Sequence, residues 1–155
     1  MKEVFNPDLF VAKWYCSQVG PENMPQFAAD ALEAGYDGPA LRRLAGLIRP
    51  NSREIGSLFQ EALAEIGATR IHSKNQAALF LGSLTAKAIV DGQMDPIEGC
   101  SILSHYAVVS GYQNALAQFD QLDGALSWGE HAPSKRELVE DIIREARKLL
   151  ASVPD

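Results

Sequence analysis

The feature that most constrains the fold is a spacing of three or four residues between apolar side chains from Ser73 to Asp123. Side chains at this spacing fall on one face of an α-helix, whereas a half-buried strand would alternate them. Two such runs flank a turn at Gly92 to Asp95. Their apolar members are Ala77, Phe80, Leu81, Leu84, Ala88 and Ile89, then Ile102, Leu103, Tyr106, Val109, Leu116 and Phe119. The sequence therefore predicts a long helical hairpin over about residues 73–123, which we expect at the centre of the fold.

Capping residues indicate where these two helices begin and end. Ser73 with Gln76 forms a reciprocal N-terminal cap, because each side chain can satisfy a backbone N–H of the first turn. Asp95 followed by Pro96 is a second start signal, with an acceptor at the cap and a fixed φ at the first helical position. Gly92 tolerates the left-handed conformation that ends a helix.

Three glycines lie inside the predicted hairpin helices, namely Gly82, Gly99 and Gly111. Each costs up to about 1 kcal/mol relative to alanine in a helix interior. We expect a close approach between helices to compensate, with a kink at Gly111 as the alternative.

The rest of the chain also has helical patterns. A cap at Asn6 opens the first helix, and later helices are expected over residues 24–35, 38–48, 51–67 and 134–150, with Asn51 and Ser134 as caps. No strand pattern, internal repeat or long linker is present. The prediction is an all-α fold: one domain over residues 1–155, a bundle of six or seven helices around the hairpin.

Length and cysteine content limit the class of protein. A chain of 155 residues can bury roughly 70% of its unfolded surface, so its core needs no covalent support. The only cysteines, Cys16 and Cys100, have no metal-type spacing and are expected to be buried free thiols. The first residues lack a secretory signal, and no apolar run reaches the roughly 20 residues that cross a bilayer. We therefore expect a cytoplasmic protein with no membrane partner.

The charge distribution points toward a basic partner. The net charge of −6 argues against general nucleic-acid binding, which depends on clustered Lys and Arg. Between Ala88 and Ser134 there is no Lys or Arg, but there are six carboxylates: Asp91, Asp95, Glu98, Asp120, Asp123 and Glu130. These residues are candidates for binding a basic protein, although helix capping is the simpler role for Asp95 and Glu98.

Two further groups are candidate binding residues. Arg42, Arg43, Arg49 and Arg53 have no acid among them before Glu54, so they could hold a carboxylate or phosphate. Trp128, Glu130 and His131 lie together in a predicted loop and are the other candidate cluster. The alternatives are a solvated helix surface for the arginines and a packed Trp with a solvated Glu and His.

The motifs of catalytic and metal sites are missing from the sequence. No Glu-x-x-His pair of a di-iron bundle occurs, and the histidines and cysteines do not have zinc spacing. Ser101 and His105 are four apart on one helix, but a hydroxyl there usually bonds to a helix carbonyl. We therefore assign no catalytic residue, metal or cofactor, and do not expect an enzyme.

Three segments resemble a known group: ALEAGYDGPALRRLAGLI at 31–48, IVDGQMDPIEG at 89–99 and ELVEDIIREARKLL at 137–150. Together they are similar to a loose group of small, uncharacterised, all-helical bacterial proteins. The resemblance implies a helical fold and a bacterial origin. It implies no activity and assigns no functional residues.

Two functions follow as hypotheses. The first is a non-catalytic protein-binding module, in the manner of an immunity protein that neutralises a basic partner. The alternative is a small-molecule-binding helical domain, with a pocket between the hairpin and the N-terminal helices lined by Trp14, Tyr15, Tyr106 and Tyr112. The small-residue faces of the helices also leave homodimerisation open.

Overall fold

The computed structural model describes residues 5–49, 52–67 and 70–153, and this part of the chain is all-α. It contains eight α-helices and no strand. They are α1 (Pro7–Tyr15), α2 (Met24–Glu33), α3 (Pro39–Ala45), α4 (Ser52–Ile66), α5 (Lys74–Val90), α6 (Pro96–Val109), α7 (Asn114–Leu122) and α8 (Lys135–Ser152). Short 3₁₀ turns lie at Pro21–Asn23, Ala125–Ser127 and Gly129–His131. The predicted all-α class is confirmed.

The chain divides into two compact units, Met1–Ser73 and Lys74–Asp155, which we call the N-terminal unit and the C-terminal unit. Each unit contains four of the α-helices described above. The predicted single domain over residues 1–155, and the central place of the hairpin, stay predictions.

An aromatic cluster holds the N-terminal unit together. The ring of Phe27, on α2, stacks on that of Phe10, on α1, with ring centroids 4.1 Å apart. Phe59, on α4, lies against both of these rings and against Trp14. Because these rings come from three helices, the cluster joins elements too short to bury much surface alone.

The C-terminal unit is built mainly from aliphatic and small side chains, with Phe119 and Tyr106 as buried aromatic residues. Helix α6 contacts α5, α7 contacts α6, and α8 contacts both α7 and α5, so the four helices surround one core. Fully buried members include Leu103, Leu116, Phe119 and Ile142, and buried alanines occur on every helix except α7.

Two glycines allow the close helix approach that the sequence predicted. A Cβ added at Gly99 would lie 2.5 Å from Ile89 Cδ1, and one at Gly82 would lie 3.1 Å from Leu116 Cδ2. Glycine therefore permits α5, α6 and α7 to pack more closely than alanine would.

The predicted second helix of the hairpin is interrupted, which is why there is one helix more than the largest number expected. Helix α6 ends at Val109 and α7 begins at Asn114. Between them Gly111 and Tyr112 both have a positive φ, of 68° and 61°. Two consecutive left-handed residues reverse the chain, so the feature is a turn and not a kink.

Three predicted caps are confirmed. The side chains of Asn6 and Asp95 accept from the backbone N–H groups of Leu9 and Glu98, at 3.2 Å and 3.1 Å. Ser134 accepts in the same way from the N–H of the residue three positions on, at 3.1 Å. The cap predicted at Asn51 lies outside the described residues. Leu84, predicted to face inward, is 45% exposed.

Candidate functional site

Helix ends bring together five of the six carboxylates of the Lys/Arg-free segment. Helix α5 ends and α6 begins on either side of one short turn, and α7 runs back antiparallel to α6. The end of α7 therefore lies beside the start of α6. We call this group the acidic end: Asp91, Asp95, Glu98, Asp120 and Asp123. All are exposed except Asp120, which is half-buried.

Hydrogen bonds between α6 and α7 fix two of these carboxylates in place. The hydroxyl of Ser104 donates to Asp120 Oδ1 at 2.9 Å, and that of Ser101 donates to Asp123 Oδ1 at 2.7 Å. Both serines and both aspartates are three residues apart, one helical turn, so they form two rungs between antiparallel helices. The sequence analysis missed this role for the serines, and the matching spacing was the signal that could have found it.

These contacts define what the carboxylates can still do. Asp95 accepts the helix-capping bond from the Glu98 N–H, so its side chain is partly committed to structure. Asp120 and Asp123 hold α7 against α6, yet each keeps a second oxygen with lone pairs. Asp91 and Glu98 carry exposed carboxylates. The acidic end thus presents negative charge from a rigid support.

Cys100, on α6, has a buried and unreactive thiol. The Cys100 thiol is 1% exposed and donates to the backbone oxygen of Phe119 at 3.4 Å. Burial, and to a lesser extent the charge of Asp123, raises the pKa of Cys100 to about 12. Since the thiolate is the nucleophilic form, this thiol is unreactive at neutral pH while the unit is folded.

The loop that begins at Asp123 exposes two large apolar side chains. Leu126, on the 3₁₀ turn Ala125–Ser127, is 46% exposed, and Trp128, between this turn and the next, is 51% exposed. The Ser127 hydroxyl donates to the Gly124 oxygen at 2.6 Å and tightens the first of these turns. The sequence analysis named Trp128 but missed Leu126, which has the apolar character of any core leucine until its exposure is known.

The other two residues of the predicted loop cluster are Glu130 and His131. Glu130 and His131 are exposed on the second 3₁₀ turn. Among the described residues no hydrogen bond, ion pair or ring contact joins Trp128, Glu130 and His131. His105 is exposed on α6, where its ring contacts only that of its neighbour Tyr106. The three loop residues stay candidates for binding.

The four predicted anion-binding arginines are all exposed, but one already has an acidic partner. The Arg42 guanidinium donates to both oxygens of Asp37, at 2.8 Å and 2.6 Å. This hydrogen bond lowers the pKa of the Asp37 carboxyl below its ordinary value. Arg43 follows on α3, Arg49 lies beyond it with a positive φ, and Arg53 is in the first turn of α4. The pairing of Arg42 weakens the cluster as an anion site.

A groove of about 740 Å³ lies within the N-terminal unit, between α1 and α2. Its walls include the aromatic rings of Phe5, Phe10 and Phe27 and the charged side chains of Lys13 and Asp30. The sequence analysis did not identify it. Its α1 members Asn6, Leu9, Phe10 and Lys13 follow the i, i+3, i+4, i+7 pattern of one helix face, which was the available signal.

The aromatic residues of the predicted small-molecule pocket have different surroundings. In the N-terminal unit Trp14 and Tyr15 are half-buried, and the Trp14 ring lies 5.7 Å from that of Phe59. In the C-terminal unit Tyr106 is buried and Tyr112 is 54% exposed. A pocket shared by these four residues stays a prediction.

Two further findings bear on the site. In the described ranges no three His, Cys, Asp or Glu side chains come together as metal ligands, and no helix there is long and apolar enough to span a membrane. Comparison of the chain with protein-family models, with curated proteins and with solved structures found no match.

Proposed function

We propose that the protein is a protein-binding module and that the acidic end, together with Leu126 and Trp128, is its binding surface. The single observation that carries this proposal is the exposed Trp128 in the loop that leads directly from Asp123. A buried Trp would have had a packing role. A half-exposed Trp is typical of protein interfaces, in which Trp is enriched, and this one follows Asp123 by five residues along the chain.

The two kinds of side chain contribute differently to binding. Trp is enriched among the few interface residues whose truncation costs about 2 kcal/mol or more. Its large ring buries much surface area while only a few side-chain torsions lose their freedom. The surrounding carboxylates raise the association rate of a basic partner and disfavour acidic ones. A basic protein with an apolar pocket is therefore the partner that fits this surface, and a toxin neutralised by an immunity-type protein would be one example.

The proposal is tested by affinity capture from a lysate of the cells that make the protein, at low salt. Wild type is compared with Trp128→Ala and with the double variant Asp91→Asn, Glu98→Gln. A matched control, Glu61→Gln with Glu137→Gln, removes the same charge from exposed positions elsewhere. We expect one basic protein to be retained by wild type and by the control, and released at lower salt from the double variant.

The Trp128→Ala variant should weaken that complex by roughly 2 kcal/mol, about 30-fold in Kd. Recovery of no stable protein partner would overturn the proposal. So would a partner that both binding-surface variants retain as well as the control does.

Small-molecule binding stays the second candidate function, and one observation favours it. The α1–α2 groove has a volume within the roughly 300–1,000 Å³ of ligand pockets and an aromatic floor flanked by polar and charged side chains. It lies wholly inside the N-terminal unit, so it does not involve Tyr106 or Tyr112.

A further inference from the structure

The α1–α2 groove has an apolar middle made by facing helix surfaces. Leu9 and Phe10 come from α1 and Phe27 from α2, with the Phe10 and Phe27 rings stacked at 4.1 Å and 14° between their planes. Both rings also contact Phe59, which holds them from behind. The floor is therefore a fixed aromatic surface.

The two helices run antiparallel, which places opposite charges at opposite ends of the groove. Phe5, just before α1, contacts Tyr36, just after α2, with ring centroids 5.7 Å apart. The eight-residue connection joins the other two ends. Lys13, late in α1, therefore lies toward the start of α2, whereas Asp30, late in α2, lies toward the start of α1.

Three of the six polar side chains that line the groove make hydrogen bonds within the protein as donors or caps. The Asn6 side chain caps α1, and the Asn23 side chain accepts from the Gly20 N–H at 2.8 Å. Gln26 donates its amide to Asp30 Oδ1 at 2.8 Å, which orients that carboxylate and leaves its second oxygen to accept. The charged side chains that line the groove are thus Lys13 toward one end and Asp30 and Glu33 toward the other, and Asp30 keeps one oxygen that can accept from a ligand.

The separation of these charges sets the length of a matching ligand. Seven residues separate Asn6 from Lys13, and seven separate Asn23 from Asp30, so each wall is about 10 Å long at 1.5 Å per residue. An extended chain of three residues also spans about 10 Å. A ligand with an ammonium and a carboxylate this far apart, and an apolar middle, would meet both charges and the aromatic floor together.

We infer that this groove binds a short peptide of about three residues with free termini and an apolar or aromatic central side chain. The peptide ammonium binds Asp30, its carboxylate binds Lys13, and the central side chain covers Phe10 and Phe27. The termini make charge-assisted hydrogen bonds, which are stronger than those between neutral groups. This inference rests on the second function, ligand binding by the N-terminal unit, and is independent of the acidic end.

The test is an amide-resolved NMR titration of the full chain with the tripeptide Ala-Phe-Ala. The same peptide with an acetylated N-terminus and an amidated C-terminus serves as the uncharged probe. We expect the free peptide to shift the amide resonances of α1 and α2. The blocked peptide should bind at least about tenfold more weakly. Asp30→Asn and Lys13→Gln should each weaken the free peptide by about tenfold and leave the blocked one unchanged, while Glu61→Gln changes neither.

The outcomes separate this inference from the function on which it rests. Equal binding of the free and blocked peptides would overturn recognition of termini but leave an apolar ligand site in the groove. Binding of neither probe would overturn both. Shifts confined to the C-terminal unit, or wild-type affinity in Asp30→Asn and Lys13→Gln, would place the peptide elsewhere and overturn the inference.

Discussion

The N-terminal and C-terminal units differ in where they place their aromatic side chains. In the N-terminal unit six rings contact one another, and the central pair, Phe27 and Phe59, is buried. In the C-terminal unit Phe119 and Tyr106 are also buried, the rest of the buried core is mostly aliphatic, and Tyr112 and Trp128 are more than half exposed. Aromatic rings thus form a connected cluster in the first unit, whereas two of the aromatic side chains of the second are largely exposed to solvent.

Helix length accounts for much of this difference. The helices of the N-terminal unit have 7 to 15 residues, so each buries little surface and large rings make up the area. Helices α5, α6 and α8 have 14 to 18 residues, and small side chains let them approach closely along their length. Packing of such a core does not require the Trp128 side chain.

The largest effect should separate these two uses of an aromatic ring. Phe59→Ala removes a ring that is 1% exposed and should lower the free energy of unfolding by about 3–5 kcal/mol through lost burial and a residual cavity. Trp128→Ala should change it by less than about 0.5 kcal/mol, as exposed substitutions usually do. Urea denaturation followed by circular dichroism measures both. Similar losses in the two variants would contradict the comparison.

Replacing glycine by alanine should have opposite effects on stability at a close helix contact and at an exposed helix position. Gly99→Ala puts a Cβ 2.5 Å from Ile89 Cδ1, and we expect a loss of about 1–2 kcal/mol from overpacking in excess of the gain in helix propensity. Gly56→Ala is the matched control in α4, where nothing lies within 4 Å, and should stabilise by about 0.5–1 kcal/mol. The same denaturation assay gives both values. A stabilising Gly99→Ala would refute close packing at that position.

The two serine–aspartate rungs should differ according to burial. Ser104 is 6% exposed, so Ser104→Ala should cost about 1 kcal/mol by removing a hydrogen bond to a charged group. Ser101 is exposed, water can replace its bond to Asp123, and Ser101→Ala should cost less than about 0.5 kcal/mol. Thermal unfolding of the two variants shows which substitution lowers stability more. The reverse order would show that Asp120 does not depend on Ser104.

The smallest effect concerns the exposed pair of Asp37 and Arg42. Because the folded-state pKa of Asp37 is lowered, its contribution to stability is present above its ordinary value of 3.8 and is lost as pH falls through the folded-state pKa. The pair is exposed, so salt should screen the contribution. Carboxyl NMR titration should find the pKa of Asp37 below its ordinary value in wild type and closer to that value in Arg42→Gln. The same pKa of Asp37 in Arg42→Gln as in wild type would show that Arg42 does not lower it.

Local chemistry was the part of the fold that could be predicted from the sequence. The caps at Asn6, Asp95 and Ser134 depend on residues three positions apart, and the structure confirms them. The helical class follows from apolar periodicity in the same way. Such signals lie within one turn of helix, so they need no knowledge of the tertiary fold.

What was missed depends on contacts or conformations that periodicity does not encode. The turn between α6 and α7 escaped prediction because apolar spacing continues from Tyr106 to Leu116 across it, and because Tyr112 adopts a left-handed conformation that few non-glycine residues take. The partners of Asp120 and Asp123 lie on another helix. The α1–α2 groove likewise requires knowing that two helix faces oppose each other.

The most direct test of this difference compares the solvent exposure of the two tryptophans, since each unit contains one. With 5-fluorotryptophan incorporated, ¹⁹F NMR gives two resonances, assigned through Trp14→Phe and Trp128→Phe. The account predicts that the Trp128 resonance responds strongly to exchange of H₂O for D₂O and to a soluble paramagnetic quencher, and that the Trp14 resonance responds weakly. A Trp128 resonance protected as well as that of Trp14 would contradict the account.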